Sequence, residues 1–510
     1  MKKIRHCLFC LLLSLSLLGC QAGQKNNPQP NHLNAAMFWI STSLDPTNDY
    51  DGWVLSRIGV GETLFRLNEA FEVEPWLADS YQQVDDTTWQ FHIREGIRFS
   101  NGNVVDGESV KSCIERAFTK NARAKDYFDL SHVEASGQNV TVYLNTASGA
   151  VINNLCEPLF TIYDASENED KIQTSPSCTG AFVIDQFVPE TTIDSSANKN
   201  YWDGQVGLET VHFTQVADSD SRVLALQSGE VDLVTTIDYS NLSLFSDESK
   251  YTVSQVLGPR CNVVYMNNTS QFLSDQTLRQ ALSYAIDRHS IVQLTGGKEA
   301  LGLYSSALPY GEGITNAYDY NPKEAIRLLD QAGYVDSNGD GIREINGRNI
   351  VIEYYESADH GSSDASIIAQ SIQNEAKEIG ISIHINQVEN LADIKASGTF
   401  DMCSANDSTA PTGDPEVFLQ FHYRSGAKEN IARYTNPTVD QMILTLAGTF
   451  DIKERQELSK EISEILLEDA VSLYVSYLPL NTITSSKVKG ANQHPVDYYM
   501  VTKDIRVQND

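Results

Sequence analysis

Few residues of this 510-residue chain stand at the spacings that bond-making chemistry requires. Thr295-Gly296-Gly297-Lys298 ends like a phosphate loop. Yet Val292 fills the place of the first glycine, and Glu299 that of the Ser or Thr that would reach magnesium. Gly59-Val60-Gly61 lacks the third glycine of a dinucleotide fingerprint. No Gly-x-Ser-x-Gly nucleophile elbow occurs, and no His pair has the i, i+4 spacing of a helical zinc site. Asp336-Ser337-Asn338-Gly339-Asp340-Gly341 opens like a calcium loop, but its twelfth position is Gly347 instead of a bidentate Glu. No catalytic group, cofactor or metal is expected. What remains is binding chemistry. Arg260, between Pro259 and Cys261, carries a planar fork that suits a ligand carboxylate; a structural or surface arginine is the alternative.

The elements that must position such groups alternate between two periods. Val263, Val264 and Tyr265 form a short β-branched and aromatic run, read as a buried strand. Ser274 or Asp275 then caps a helix whose Leu278, Ala281, Leu282, Ala285 and Ile286 make one apolar stripe. Trp89, Phe91 and Ile93 alternate as in a half-buried strand. Residues 33–40 open as a strand, 54–65 as a helix, and 106–118 as another helix. Further on, Ala325, Leu328, Leu329 and Ala332 stripe a helix that Gly333 ends, and Ile368, Ile372, Ala376 and Ile379 stripe one that Gly380 ends. Residues 350–355 and 472–478 are strands. Strands alternating with helices predict an α/β protein of two or three domains with mixed sheets.

The formal net charge is −31, which argues against nucleic acid as a partner because phosphate binding needs a basic surface. Lys2, Lys3 and Arg5 precede a short apolar run at residues 8–18, too short for an ordinary membrane span. Leu17-Leu18-Gly19-Cys20 follows, and resembles a bacterial lipobox whose cysteine, Cys20, becomes lipidated. Residues 1–19 are therefore expected to be a signal peptide and 20–32 a flexible tether. Cys113, Cys156, Cys178, Cys261 and Cys403 remain, an odd number without zinc spacing. Cys156 and Cys178 could pair, or all could be buried thiols.

A resemblance runs through nearly the whole mature chain. Glu74-Pro75-Trp76-Leu77-Ala78, Trp89-x-Phe91-x-Ile93-Arg94 and Ile97-x-Phe99-Ser100-Asn101-Gly102 are similar to motifs of the family 5 extracellular solute-binding proteins of ABC importers. Residues 176–182, 198–204, 222–234, 262–288, 324–333 and Asp440 continue the pattern in order, with Cys178, Ala181 and Leu273 as departures. The resemblance implies a two-lobe fold with a hinge and an extra subdomain. The first lobe is expected at 33–266 and 482–510, with the subdomain at about 66–170, and the second at 267–481. Val264, Tyr265 and Asn267 are the expected hinge residues.

It also implies a ligand cleft. Ser41, Thr42, Tyr50 and Trp53 lie in loops that would face it. Arg123 and Tyr127 stand where metal-chelate members place an arginine and an aromatic. Asp407 and Asp414 are available for a peptide's α-amino group, although Asp414 also suits a helix cap at Glu416. His422 and Tyr423 are near the position of nickel-type ligands, but Thr409 and Gly413 replace the usual aromatics before Asp414-Pro415. That absence places short peptides first as the expected ligand; the short segment 121–128 favours the alternative, a nickel or metal-chelate ligand. The expected partners are such a ligand, an ABC permease and ATPase, and the membrane through the lipid, with the protein monomeric and outside the cytoplasmic membrane. A secreted lipoprotein hydrolase is the alternative from another class.

Overall fold

The structure is a computed structural model that describes residues 31–315, 318–357 and 364–508. The expected signal peptide, Cys20 and the tether up to residue 30 lie outside the described residues. His32, expected as the last tether residue, is instead the first residue of the strand His32–Met37, where it pairs with Thr210. Its ring bonds to Thr210 and Asn34 hold it there.

One mixed sheet of eleven strands crosses the molecule. Its spine is a pair of long antiparallel strands, Tyr251–Met266 and Ser472–Ser485. On the first-lobe side the sheet continues through Leu233–Thr235, His32–Met37, Thr210–Gln215, Thr192–Ala197 and Phe182–Val188. On the second-lobe side it continues through Met402–Ser408, Val351–Glu356 and Ser382–Gln387. The run from Val263 to Met266 is apolar without alternation because both of its faces are covered. Val264 and Met266 join Leu278, Leu282 and Ile368 in the second-lobe core, while Val263 and Tyr265 pack into the larger core on the other face.

The spine is regular at its two ends and broken in the middle. Register shifts fall between Leu257 and Cys261 and between Asn262 and Val263. Gly258 and Pro259 lie in the first break, and Pro479 stands opposite Leu257. A Cβ on Gly258 would stand 2.7 Å from the Pro495 carbonyl, so the close approach of the C-terminal segment needs glycine. Val264 and Tyr265 sit in continuous pairing with Ser404 and Cys403, beyond the breaks.

A four-stranded antiparallel sheet of Ala78–Asp85, Thr88–Ile93, Asn139–Leu144 and Leu130–Ser136 forms a separate layer within the first-lobe part of the chain. The helix Gly107–Lys120 packs on it, entered through a capping box between Asp106 and Ser109. The helix expected over 54–65 spans Asp51–Arg57 only. Gly59, at φ 71, turns the chain against the Val501 carbonyl and ends it there. Among the described residues Cys113, Cys156, Cys178, Cys261 and Cys403 are all buried and free, so Cys156 and Cys178 do not pair.

Candidate ligand-binding cleft

The C-terminal end of the helix Asp51–Arg57, the spine break and the segment 493–500 converge on one cavity of ≈ 110 Å³. Arg57, Arg260, Asn406 and Asp497 line it, with Asp238 from the first-lobe side and Asp364 from the second. Asp497 Oδ2 accepts from Arg57 Nη2 at 3.0 Å and from Arg260 Nη2 at 2.9 Å. Arg57 Nε also donates to the Asp497 carbonyl at 3.0 Å, and Arg260 Nη1 to the Asn406 carbonyl at 3.1 Å. The Arg57 guanidinium lies 5.3 Å from the Phe38 ring and 5.4 Å from the Trp53 ring. Burial alone would raise the Asp497 carboxyl, but Arg260 and Arg57 overcome it and hold it down at about 2. Burial pulls Arg57 down against the opposing pull of Asp497. Two guanidiniums thus share one carboxylate, and one positive charge at the wall stays uncompensated within the trio. A planar carboxylate is the group that such forks bind best.

A second cluster flanks this cavity. Glu157, fully buried, accepts Trp53 Nε1 at 2.7 Å and Tyr498 OH at 2.9 Å, with Arg123 Nη2 at 3.4 Å. Arg123 lies 3.6 Å above the Tyr50 ring centroid and donates to Tyr127 OH at 3.1 Å. Across from these, Tyr265 OH donates to Asp407 Oδ2 at 2.5 Å and lies 3.1 Å from His422 Nδ1. The His422 ring stacks on Phe418 with centroids 4.1 Å apart. Burial holds His422 below its ordinary pKa against the carboxylates of Asp407 and Glu429. The rings of Tyr127 and Phe421, 6.1 Å apart, join the two walls.

Of the expected candidates, Tyr50, Trp53, Arg123 and Tyr127 therefore share one wall, Asp407 and His422 stand on the other, and Arg260 lines the cavity. Ser41 donates to the Ser43 carbonyl and Thr42 is exposed, both outside the cavity lining. Asp414 is buried in a fork with Arg455, at 2.6 and 2.9 Å, and caps Glu416 N at 2.9 Å. Tyr423 is buried, its hydroxyl 3.1 Å from that of Tyr474. Asn267 donates to the carbonyls of Gly398 and Phe400. Arg57, Glu157, Asp497 and Tyr498 went unmarked in sequence; Asp497 is 440 positions from Arg57, and no local pattern reveals such a contact. In the loop at 336–341, Asp336 accepts from Gly339 N and Gly341 N at 2.6 and 2.9 Å, so backbone amides occupy its carboxylate. Among the described residues no His, Cys, Asp and Glu cluster could hold a metal ion, and no helix is long and apolar enough to cross a membrane.

The profile of the bacterial extracellular solute-binding proteins, family 5 middle, matches residues 72–430. The chain is 28% identical over 491 residues to the nickel-binding protein NikA of Staphylococcus aureus, covering 96% of each. It is 25% identical to the oligopeptide-binding protein AppA of Bacillus subtilis, covering 86% of this chain and 85% of that one. The crystal structure of S. aureus NikA in complex with Ni(L-His)2 superposes with a TM-score of 0.82 at 26% identity, over 94% of this chain and 100% of that one. The chain belongs to the family 5 bacterial extracellular solute-binding proteins.

Proposed function

We propose that this protein captures a small, carboxylate-bearing solute between its lobes and hands it to an ABC permease, with a metal–amino-acid chelate as the ligand class. The observation that carries this is the Arg57–Asp497–Arg260 trio at the cavity wall. It offers guanidinium donors to a carboxylate at a place where Asp238 and Asp364 also bring negative charge. An amino acid or its chelate carries both signs and suits such a wall. The relationship to S. aureus NikA supports nickel–histidine as the first compound to test. The cleft is also short at one end. Asn153 Nδ2 donates to the Thr412 carbonyl at 3.0 Å, and Tyr498 OH to the Pro411 carbonyl at 2.9 Å, so residues 411–412 close it there. A long peptide has no exit on that side.

A short peptide is the second reading. It is favoured by Asp407, half-buried on the second wall, whose carboxylate could take an α-amino group, and by the relationship to AppA. In both readings no bond of the solute is made or broken. The lobes divide near residues 266 and 481, and the register breaks at 257–263 are where the spine flexes on closure. Residues 1–19 export the chain and Cys20 carries the lipid that keeps it, as a monomer, beside the permease and its ATPase.

Native mass spectrometry of the purified protein tests the reading, followed by titration calorimetry with nickel(II) plus L-histidine and with a tripeptide panel. Saturable 1:1 binding of the nickel–histidine mixture, and not of nickel alone, is expected. Binding of the tripeptides only would move the assignment to the second reading. Turnover of the peptides, or binding of neither class, would sink both.

A further inference from the structure

Arg222 is fully buried, at 0% exposure, and among the described residues no carboxylate forms a close ion pair with it, although Asp238 and Asp218 act on it from farther away. Its donors go to backbone carbonyls: Nη1 to Val216 and Ala217, both at 2.7 Å, Nη2 to Thr236 at 2.6 Å, and Nε to Thr235 at 3.1 Å. Burial draws its pKa down to about 10, with Asp238 and Asp218 opposing, so it stays charged at neutral pH. A buried cation whose direct contacts are all neutral carbonyls is costly, and a fold that merely needed donors there could use a neutral amide.

Its position relative to the cleft supplies a use for the charge. Thr235, Thr236 and Asp238 line the same cavity as Arg57 and Arg260. Two of the four carbonyls that Arg222 holds, those of Thr235 and Thr236, therefore belong to residues of the cavity wall, and its guanidinium stands behind them. Thr236 has φ 57, a left-handed conformation that β-branched residues avoid. It is fixed from one side by the bond from Arg222 and from the other by Asn481, whose carbonyl accepts Thr236 N at 3.1 Å and whose Oδ1 accepts Ile237 N at 2.9 Å.

We propose that Arg222 is a positioning and charge-selecting residue of the ligand cleft: it fixes the Thr235–Thr236 wall and lends positive potential through it, favouring solutes that present a carboxylate. The inference rests on the reading of the cleft as a carboxylate-binding site. Titration calorimetry with nickel(II) plus L-histidine and with nickel(II) plus L-histidinamide, which lacks the carboxylate, tests it on wild type, Arg222→Met and Arg222→Lys. Wild type is expected to prefer histidine. Arg222→Met should weaken nickel–histidine about tenfold while changing nickel–histidinamide less than about twofold. Arg222→Lys should keep the preference despite a lower melting temperature. Should Arg222→Met not fold, Arg222→Gln, which keeps donors for two carbonyls, replaces it. Equal losses for both chelates, or none for either, would leave Arg222 purely structural and overturn the proposal. A wild type that binds histidinamide as well as histidine, or binds neither chelate, would instead remove the cleft reading, and this inference with it.

Discussion

Arg260 Nη2 stands 2.9 Å from Asp497 Oδ2, and the same oxygen is 3.0 Å from Arg57 Nη2. A residue of the central spine is thus tied to the C-terminal segment and to the helix that carries Trp53. The contact makes Asp497 the internal counter-ion of the cleft and Arg260 the guanidinium nearest the spine break. Arg260→Gln should weaken nickel–histidine binding by about tenfold or more, and should also lower the melting temperature because Asp497 loses the stronger of its two charged partners. Unchanged affinity by calorimetry would place the ligand elsewhere.

Asp497 also predicts an acid transition. Its folded pKa is about 2, below the ordinary 3.8. The stability it contributes is therefore complete above about pH 4 and is lost as pH falls toward 2. The loss should be about 2 kcal/mol. Asp497→Asn should lose at least that at pH 7 and flatten the pH 2–4 limb of a urea-unfolding series. A limb that is unchanged in the variant would contradict the pairing.

Glu62 has the opposite sign. Burial raises its carboxyl to about 7, although Trp202 Nε1 at 2.9 Å and Tyr201 OH at 3.1 Å donate to it. A folded pKa above the unfolded one gives stability that is complete below about 4.5 and lost as pH rises through 7. Glu62→Gln keeps an acceptor for both donors and removes the titration. Wild type should lose up to about 3 kcal/mol between pH 5 and 8 relative to the variant. Parallel stability–pH curves would show that Glu62 is ionised throughout.

Asp414 and Arg455 form a buried pair, with Arg455 also 2.9 Å from Glu416. Asp414→Asn should cost about 3–5 kcal/mol in denaturant unfolding, because it leaves Arg455 short of a partner. The affinity of folded protein for nickel–histidine should change little. A large loss of affinity at intact stability would return Asp414 to the ligand site.

Gly149 donates its N–H to the Ala447 carbonyl at 2.8 Å, tying the chain after the strand Asn139–Leu144 to the end of the helix Pro437–Ala447. An added Cβ there would overlap the Thr449 carbonyl and crowd Arg455 Nη1. Gly149→Ala should therefore hold the lobes apart. Small-angle scattering should report a larger radius of gyration for the variant with nickel–histidine present, together with weaker binding. An unchanged radius would mean that the segment 447–449 yields locally.

The sequence by itself determined the family and many of the elements, though not the bounds of the helix Asp51–Arg57 or the start of the strand His32–Met37. The Leu278–Ile286 stripe and the Gly333 and Gly380 stops read correctly, because helical period, capping and turn chemistry act over a few residues, and the family read from the ordered motifs is the one that matches residues 72–430. It also brought Arg260, Tyr50, Trp53, Arg123 and His422 forward as binding candidates. What it could not supply was which side chains meet. Whether Arg260 is paired depends on Asp497, and whether Trp53 and Arg123 are fixed depends on Glu157, at sequence separations of 237, 104 and 34. Asp414 and Asp407 look alike in sequence, yet one is spent on Arg455 and the other accepts from Tyr265. The breaks in the spine likewise depend on Pro479 and Pro495 arriving from the far end of the chain. Only the tertiary structure decided these, because burial and charge pairing are set by neighbours in space.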